Sequence, residues 1–463
     1  MFNININSFK DKKRNLRVSG NVILDTDQKA SNNELMVSLK VCLDDNSTLK
    51  VYALSTTQEL KYSIESDSKI KNIKKIVDMI GSDLPGQFWY YDAIDMSYAE
   101  LKSVYGWLKY NNLSAAYKNL YVKAVVNDLK YTYDTLLKAI DTKTTILVFK
   151  NGVLNIYPKD AYTYGAYLDK SWLNIDFTQN EIPLNLYLDF TAKLDKNILS
   201  LLKRYSIELP FIQTKGKLKT DLYLNINLSK EEVQTRGEFF TKNAQIHYLG
   251  LDINLYNVKV LLNNKDVTIN NMQARYEDNI ISASSNVDMR FDASNQKGIL
   301  DFKLDSVYIK DIDTKLDKTP LYLSYIIDPK QDIIKAKESR WITKNKKIKI
   351  AKAEIPFKLE TSSLKISQAP FSIENIADGI TSGEVYLKPF KVDLDIDILS
   401  LKYNGVKFEK PNINLNINYK NKLEVLSKKD LTFEVLGHKY LFENFNFDIY
   451  DNNPGWLGGS MPG

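Results

Sequence analysis

The chain of 463 residues reads as an all-β protein, on three observations. Apolar and polar residues alternate with period two through most of its length, helical stripes are few, and uninterrupted apolar runs flanked by helices are missing. The first carries the most weight. Successive side chains of a strand point to opposite faces, so a run that alternates presents one apolar and one polar face. Leu184, Leu186, Leu188 and Phe190 alternate with Asn185, Tyr187 and Asp189, and Leu222, Leu224, Ile226 and Leu228 alternate with Tyr223, Asn225 and Asn227. Leu300, Phe302 and Leu304 repeat the pattern, as do Leu394, Ile396 and Ile398 with Val392, then Ile413, Leu415 and Ile417. Buried parallel strands of a βαβ fold would instead be apolar on both faces, so the sheet is antiparallel.

Two stripes have helical spacing. Ile70, Ile73, Ile76, Val77 and Ile80 predict a helix over Ser68 to Ile80, begun by Asp67 or Ser68 and ended at Gly81. Ile198, Leu199, Leu201 and Leu202 predict a second over Asp195 to Tyr205. Pro85 to Asp95, with Phe88, Trp89, Tyr90 and Tyr91, reads as a short helix or an aromatic loop. From Gly216 to Tyr450 hardly any helix is expected. The organisation expected is an N-terminal β segment over 1–140 with its capping helix near 68–80, a continuous groove-forming sheet over 141–450, and a flexible, Gly- and Pro-rich tail over 451–463.

Composition narrows the function. Hydrophobic residues make up 44% and charged residues 26%, which excludes global disorder. A net charge of +6 over this length tolerates an anionic membrane surface and is too weak for nucleic acid. The single cysteine, Cys42, rules out an intramolecular disulfide and reads as a small hydrophobe in a strand. No run approaches the roughly 18 apolar residues of a membrane-spanning helix. The N-terminus opens within an alternating run, Phe2, Ile4 and Ile6 against Asn3, Asn5 and Asn7, and lacks the order of a signal peptide. A longer parent with its export signal or anchor upstream is the expectation.

Catalytic and metal chemistry find no foothold. His247 and His438 stand apart from any matching ligand or nucleophile, and read as surface residues of strands. Asp393, Asp395 and Asp397 have the spacing that opens a calcium loop. The sixth position is Ile398 rather than Gly and the twelfth Asn404 rather than Glu, so they are the polar face of a strand. There is no phosphate-binding glycine loop and no nucleophile elbow. No enzyme, no cofactor and no metal is expected. The densest basic run, Lys344, Lys346, Lys347, Lys349 and Lys352, reads as lysines guarding an outer or edge strand, with contact to anionic lipid the lesser reading. Tyr157, Tyr162, Tyr164, Tyr167 and Trp172 either line a groove mouth or pack across strands.

The apolar faces pose the physical question. Leaving one Leu, Ile or Val exposed forgoes roughly 1.5–3 kcal/mol, and several on every strand would forgo more than the net stability of a domain. Either the sheets close on themselves as sandwiches or barrels, or they curl into a half-pipe filled from outside the chain. Periodicity alone leaves both open and leans to the sandwich.

Several phrases bear on that choice. Ile146 to Lys159 with its turn at Gly152, Ser171 to Thr178 leading into the strand to Phe190, Gly216-Lys-Leu218-Lys-Thr-Asp221-Leu, and Gly237 to Phe240 continuing through Gly250 to Lys259 resemble the repeated strand phrases of the AsmA-like superfamily of Gram-negative bacteria, particularly its YhdP-like and TamB-like long members. The resemblance covers about Val122 to Ile309. It implies an elongated, curled antiparallel sheet with a few short capping helices, shaped as a taco-like half-pipe groove. It further implies a non-enzymatic, bridge-like lipid transfer protein of the periplasm, anchored to the inner membrane in the full-length parent. Phospholipid would pass between the inner and outer membranes with its acyl chains on the apolar positions named above, and membrane-embedded proteins could be partners. The family's anchor helix is absent from these residues. An outer-membrane protein assembly factor that pairs client strands at free edges, and a closed-sandwich adhesin or surface protein, remain the alternatives.

Overall fold

The computed structural model describes residues 2–449 apart from 12–15, 27–32, 44–46, 72–93, 133–135, 137, 169, 205–210, 231, 249, 311–312, 345, 359–362, 388–389, 404–405, 420–422, 428–429 and 444–445. Strands dominate, and the registered strand pairs are antiparallel. The fold is therefore all-β, as the alternation predicts. Helix is confined, among the described residues, to a 3-10 segment, Leu113–Asn119, and an α-helix, Lys196–Arg204. The latter lies within the predicted Asp195 to Tyr205. Asp195 caps it, its Oδ1 accepting the backbone N–H groups of Asn197 at 2.9 Å and Ile198 at 3.2 Å.

The helix predicted from Ser68 lies mostly outside the described residues, as does most of Pro85 to Asp95 and all of the tail 451–463. Its opening residues are not helical. Ile70 makes a two-way backbone bridge with Ala99 at 2.8 Å and is fully buried. It packs with Leu43 and Leu49. At Ile70 a tertiary partner thus decides the backbone over local helical spacing.

Two compact units make up the chain. One comprises Met1–Lys193, Ser200–Ser206 and Leu218–Glu238, and the other Leu194–Leu199, Ile207–Lys217 and Phe239–Gly463. In the first, neighbouring hairpins pair in sequence order, from Phe2–Asp11 and Leu16–Thr26 onward to Pro183–Ala192 and Leu218–Asn227. Turn chemistry sets the register where it can be read. Asn151 and Gly152 both have positive φ, 52° and 74°, between Ile140–Lys150 and Val153–Thr163, the two-residue turn that suits the right-handed twist of a hairpin. Phe2–Asp11 pairs on one side only among the described residues, so this sheet is open rather than closed as a barrel.

The second unit runs through Leu251–Asn263, Asp266–Glu277, Ile281–Asp292, Lys297–Ile309, Leu321–Ile327 and Asp332–Ala336, each paired with the next. Tyr248 ends the strand preceding Leu251–Asn263, and the Gln245 side-chain amide reaches Asn254 across that hairpin at 3.2 Å.

Candidate functional site

Alternation within one strand becomes a surface only if neighbouring strands pair in matching phase. They do. In the first unit one lateral row reads Ile6, Gly20, Leu39, Val51, Ile64, Val104, Val122, Phe149, Leu154, Ile175, Leu184 and Ile226, one residue per strand, each directly opposite the next. Beside it lies a second row, Leu101, Ala124, Leu147, Ile156, Leu173, Leu186 and Leu224. Leu188 meets Leu222, and Phe190 faces the buried Thr220. A one-residue slip anywhere would break these rows, so the apolar face itself holds the register.

The second unit has its own rows. Val260, Ile269, Met289, Leu300, Tyr325, Ile334 and Ile355 form one, and Met272, Val287, Phe302, Leu323, Ala336 and Ala353 the next. Leu304 lies between Ser285 and Leu321. Further along, Leu394 faces Ile417, Ile396 faces Leu415 and Ile398 faces Ile413. Thus all but two of the residues singled out from sequence have an apolar residue opposite them in their own unit. Phe190 faces Thr220, and Leu228 lies past the end of Leu218–Asn227 and is 40% exposed.

Burial separates these rows from an ordinary core. Leu184 is buried at 4% exposure, but Leu186, Leu188, Phe190, Leu222, Leu224 and Ile226 are only half-buried. So are Leu300, Phe302, Leu304, Leu394, Ile396, Ile398, Ile413, Leu415 and Ile417. Facing sheets of a sandwich would interdigitate these residues at interior density. Here they are left short of that state, with most of the transfer energy of their outer atoms still to be gained.

Polar groups punctuate the rows. Tyr62, opposite Gly106, is half-buried and its hydroxyl pKa is raised by burial. On the second unit's row the Tyr325 hydroxyl donates to Asp332 Oδ2 at 2.7 Å, while Asp332 Oδ1 accepts the Asp328 N–H at 3.1 Å. Burial, then that hydrogen bond, pushes the Tyr325 pKa far above the tyrosine range. A hydroxyl so placed stays neutral and keeps the carboxylate occupied on an otherwise apolar face.

The opposite face of the first unit is built differently. Asn155, Asn174, Asn185 and Asn225 stand in one row. Asn185 donates to Asn174 at 2.9 Å, Asn225 donates to Asn185 at 2.7 Å, and the Tyr223 hydroxyl donates to the same Asn185 oxygen. Asparagine, conspicuous in the sequence, here makes an amide ladder. Trp172 stacks on Tyr187 with ring centroids 5.8 Å apart, and lies 6.4 Å from Tyr223. Tyr162 and Tyr167 meet edge to face at 5.1 Å. Of the aromatic cluster, Tyr162, Tyr167 and Trp172 thus pack across strands, and Trp172 does so on the face away from the apolar rows.

The other chemical candidates stay apart from one another. His247 Nδ1 lies 2.7 Å from Asp252 Oδ1 at an exposed position, and His438 is exposed at the start of His438–Phe442. No group of three potential metal ligands occurs among the described residues. Asp393 and Asp395 share the side-chain amide of Asn416 at 3.0 and 2.9 Å, on the face opposite Leu394 and Ile396. Lys349 pairs with Glu338, which also reaches Arg340, so the basic run is partly neutralised in place. Cys42 is half-buried in Asn33–Cys42.

One feature escaped the sequence reading. Ile23, Met36, Leu54, Lys61 and Trp107 form a lateral row on the polar side of the first unit. Its signal was the loss of alternation in Val22-Ile23-Leu24 and Leu35-Met36-Val37, where both faces are apolar.

With the geometry in place, comparison with known proteins adds one finding. Residues 103–318 match the protein family described as YhdP protein. No curated protein and no solved structure matches the chain.

Proposed function

From the match of residues 103–318 to the family described as YhdP protein, we propose that this chain is a non-enzymatic lipid transport protein of the Gram-negative envelope, which carries phospholipid on its apolar rows and serves its transfer between the inner and outer membranes. The observation that carries the reading is the row from Ile6 to Ile226. Adjacent residues continue across twelve paired strands, and apart from Val104, Ile175 and Leu184 they stop short of full burial. A hydrocarbon core is about 30 Å thick, so one acyl chain reaches about 15 Å, or three strand spacings at ~4.8 Å. Such a row therefore offers room for several chains along it. A chain moving from bilayer to row exchanges one apolar environment for another, and a chain moving along the row meets the same surface at each step. Neither costs much hydrophobic free energy.

Headgroups would stay at the strand ends, in water. A periplasmic setting, with the anchor in a longer parent, belongs to the same proposal, as does a groove running through 141–450. The half-buried rows weigh against a closed sandwich, whose inner faces would be dry and filled.

The test is native mass spectrometry and lipid extraction on protein purified without detergent. Phospholipid should co-purify. Leu186→Asn with Leu224→Asn replaces two directly opposed leucines of the row by amides, and should cut the lipid content severalfold while the circular dichroism is kept. A lipid-free, stable monomer would mean that the apolar faces close on one another.

A further inference from the structure

The row Ile23, Met36, Leu54, Lys61 and Trp107 lies on the face away from the apolar rows, where the pattern calls for polar residues. Two cavities flank it, both within the first unit. The first, about 580 Å³, is lined by Ile23, Met36, Tyr52, Leu54 and Lys61 among others. The second, about 340 Å³, is lined by Lys61, Tyr105, Trp107, Lys118, Tyr121 and Lys150 among others. Lys61 belongs to both, so an apolar hollow leads into a basic, aromatic one. Both volumes fall in the range of small-molecule sites, roughly 300–1,000 Å³.

The two hollows differ in chemistry. In the first, Met36 is 40% and Tyr52 41% exposed, side by side on an apolar floor with Ile23 and Leu54. In the second, Tyr105 and Tyr121 stack with ring centroids 4.7 Å apart, and Tyr121 stands directly opposite Lys150. Lys61 is held by Glu59 at 2.9 Å. Lys118 lies over the Tyr117 ring, and neither it nor Lys150 has a carboxylate partner among the described residues. Two unpaired ammonium groups beside aromatic rings suit an anion, and the adjoining hollow suits a hydrocarbon chain.

We propose that this face holds one anionic amphiphile, a phosphate-headed lipid with its head between Lys118 and Lys150 and its chain along Leu54, Met36 and Ile23. It is a second lipid site, separate from the rows assigned to transport and independent of whether those rows carry lipid. Charge complementarity at one end and an apolar floor at the other select this occupant over free phosphate, which would use only the lysines.

The experiment is titration of the full chain with dodecyl phosphate below its micelle concentration, followed by calorimetry. Saturable binding is expected, weakened at least about tenfold by Lys118→Glu with Lys150→Glu, and also by Met36→Asp. Leu186→Asn with Leu224→Asn should leave the component that Lys118→Glu with Lys150→Glu removes unchanged, which separates this site from the transport rows. Inorganic phosphate should bind far more weakly. No saturable binding, or binding lost only in the Leu186/Leu224 variant, overturns the proposal. So does phosphate binding as tightly as the amphiphile, or concentration-dependent dimers that Met36→Asp abolishes, which would make the face a contact between two copies. Thermal melts of each variant show whether the fold is kept, and a second head variant, Lys150→Gln alone, should still weaken binding if the double charge reversal unfolds the sheet.

Discussion

At the scale of single residues, side chains on the polar face hold strands to one another. Asn185 accepts from Asn225 and Tyr223 and donates to Asn174, so it ties three strands at once. Each such bond contributes about 0.5–1.5 kcal/mol net, and a half-buried group left unpaired costs more. Asn185→Ala is expected to lower stability by about 2 kcal/mol in urea unfolding, with the slope of the transition unchanged. Tyr276 gives a pH signature. Burial first, then its hydrogen bond to Asp278, pushes its pKa up to about 12. That lies above the ~10 of an unfolded tyrosine, so the neutral hydroxyl favours the fold fully below pH ~10, and the advantage is lost as pH rises to about 12. Alkaline titration of phenolate absorbance should show a late tyrosine that Tyr276→Phe removes. Gly383 is a backbone site. At φ 134° it lies opposite Leu394, and a Cβ there would stand 2.1 Å from the Asp393 carbonyl oxygen. Gly383→Ala should cost about 1–3 kcal/mol in the same measurement.

At the scale of elements, strand phase was legible and tertiary choice was not. The runs at Leu184–Phe190 and Leu222–Leu228 could be read because alternation is a local property with one consequence. The α-helix Lys196–Arg204 was legible for the same reason, with Asp195 ready to cap it. Ile70 was misread, because its periodicity fits a helix while its burial against Leu43 and Leu49 is non-local. The outer row through Met36 was missed because a short run apolar on both faces reads equally as a buried strand. Which strands are neighbours, and so which residues share a row, depends on hairpin connections that periodicity does not encode. Leu228 failed for a simpler reason: the pattern ran one residue past the strand.

At the scale of the molecule, each unit has apolar rows on one face that its own residues do not fully cover. That predicts a chain more stable when loaded. Delipidated protein should melt at a lower temperature than protein with phospholipid bound, and adding back phospholipid should restore the difference in proportion to occupancy. Equal melting temperatures with and without lipid would count against the rows as its seat. The family resemblance told more here than the residues alone, since periodicity could not say whether the faces close or stay open, and half-burial of Leu186, Leu224 and Ile396 is a tertiary fact.

The unbroken row from Ile6 to Ile226 also constrains how such a gene can change. Each strand contributes by parity: even steps keep a side chain on the row, odd steps turn it over. A single codon inserted within Pro183–Ala192 would place Asn185 and Tyr187 among leucines and send the leucines to water, whereas the same codon in the turn at Asn151-Gly152 would leave every row intact. Relatives of this chain should therefore differ in length chiefly at turns, by whole hairpins, or by pairs of residues within strands.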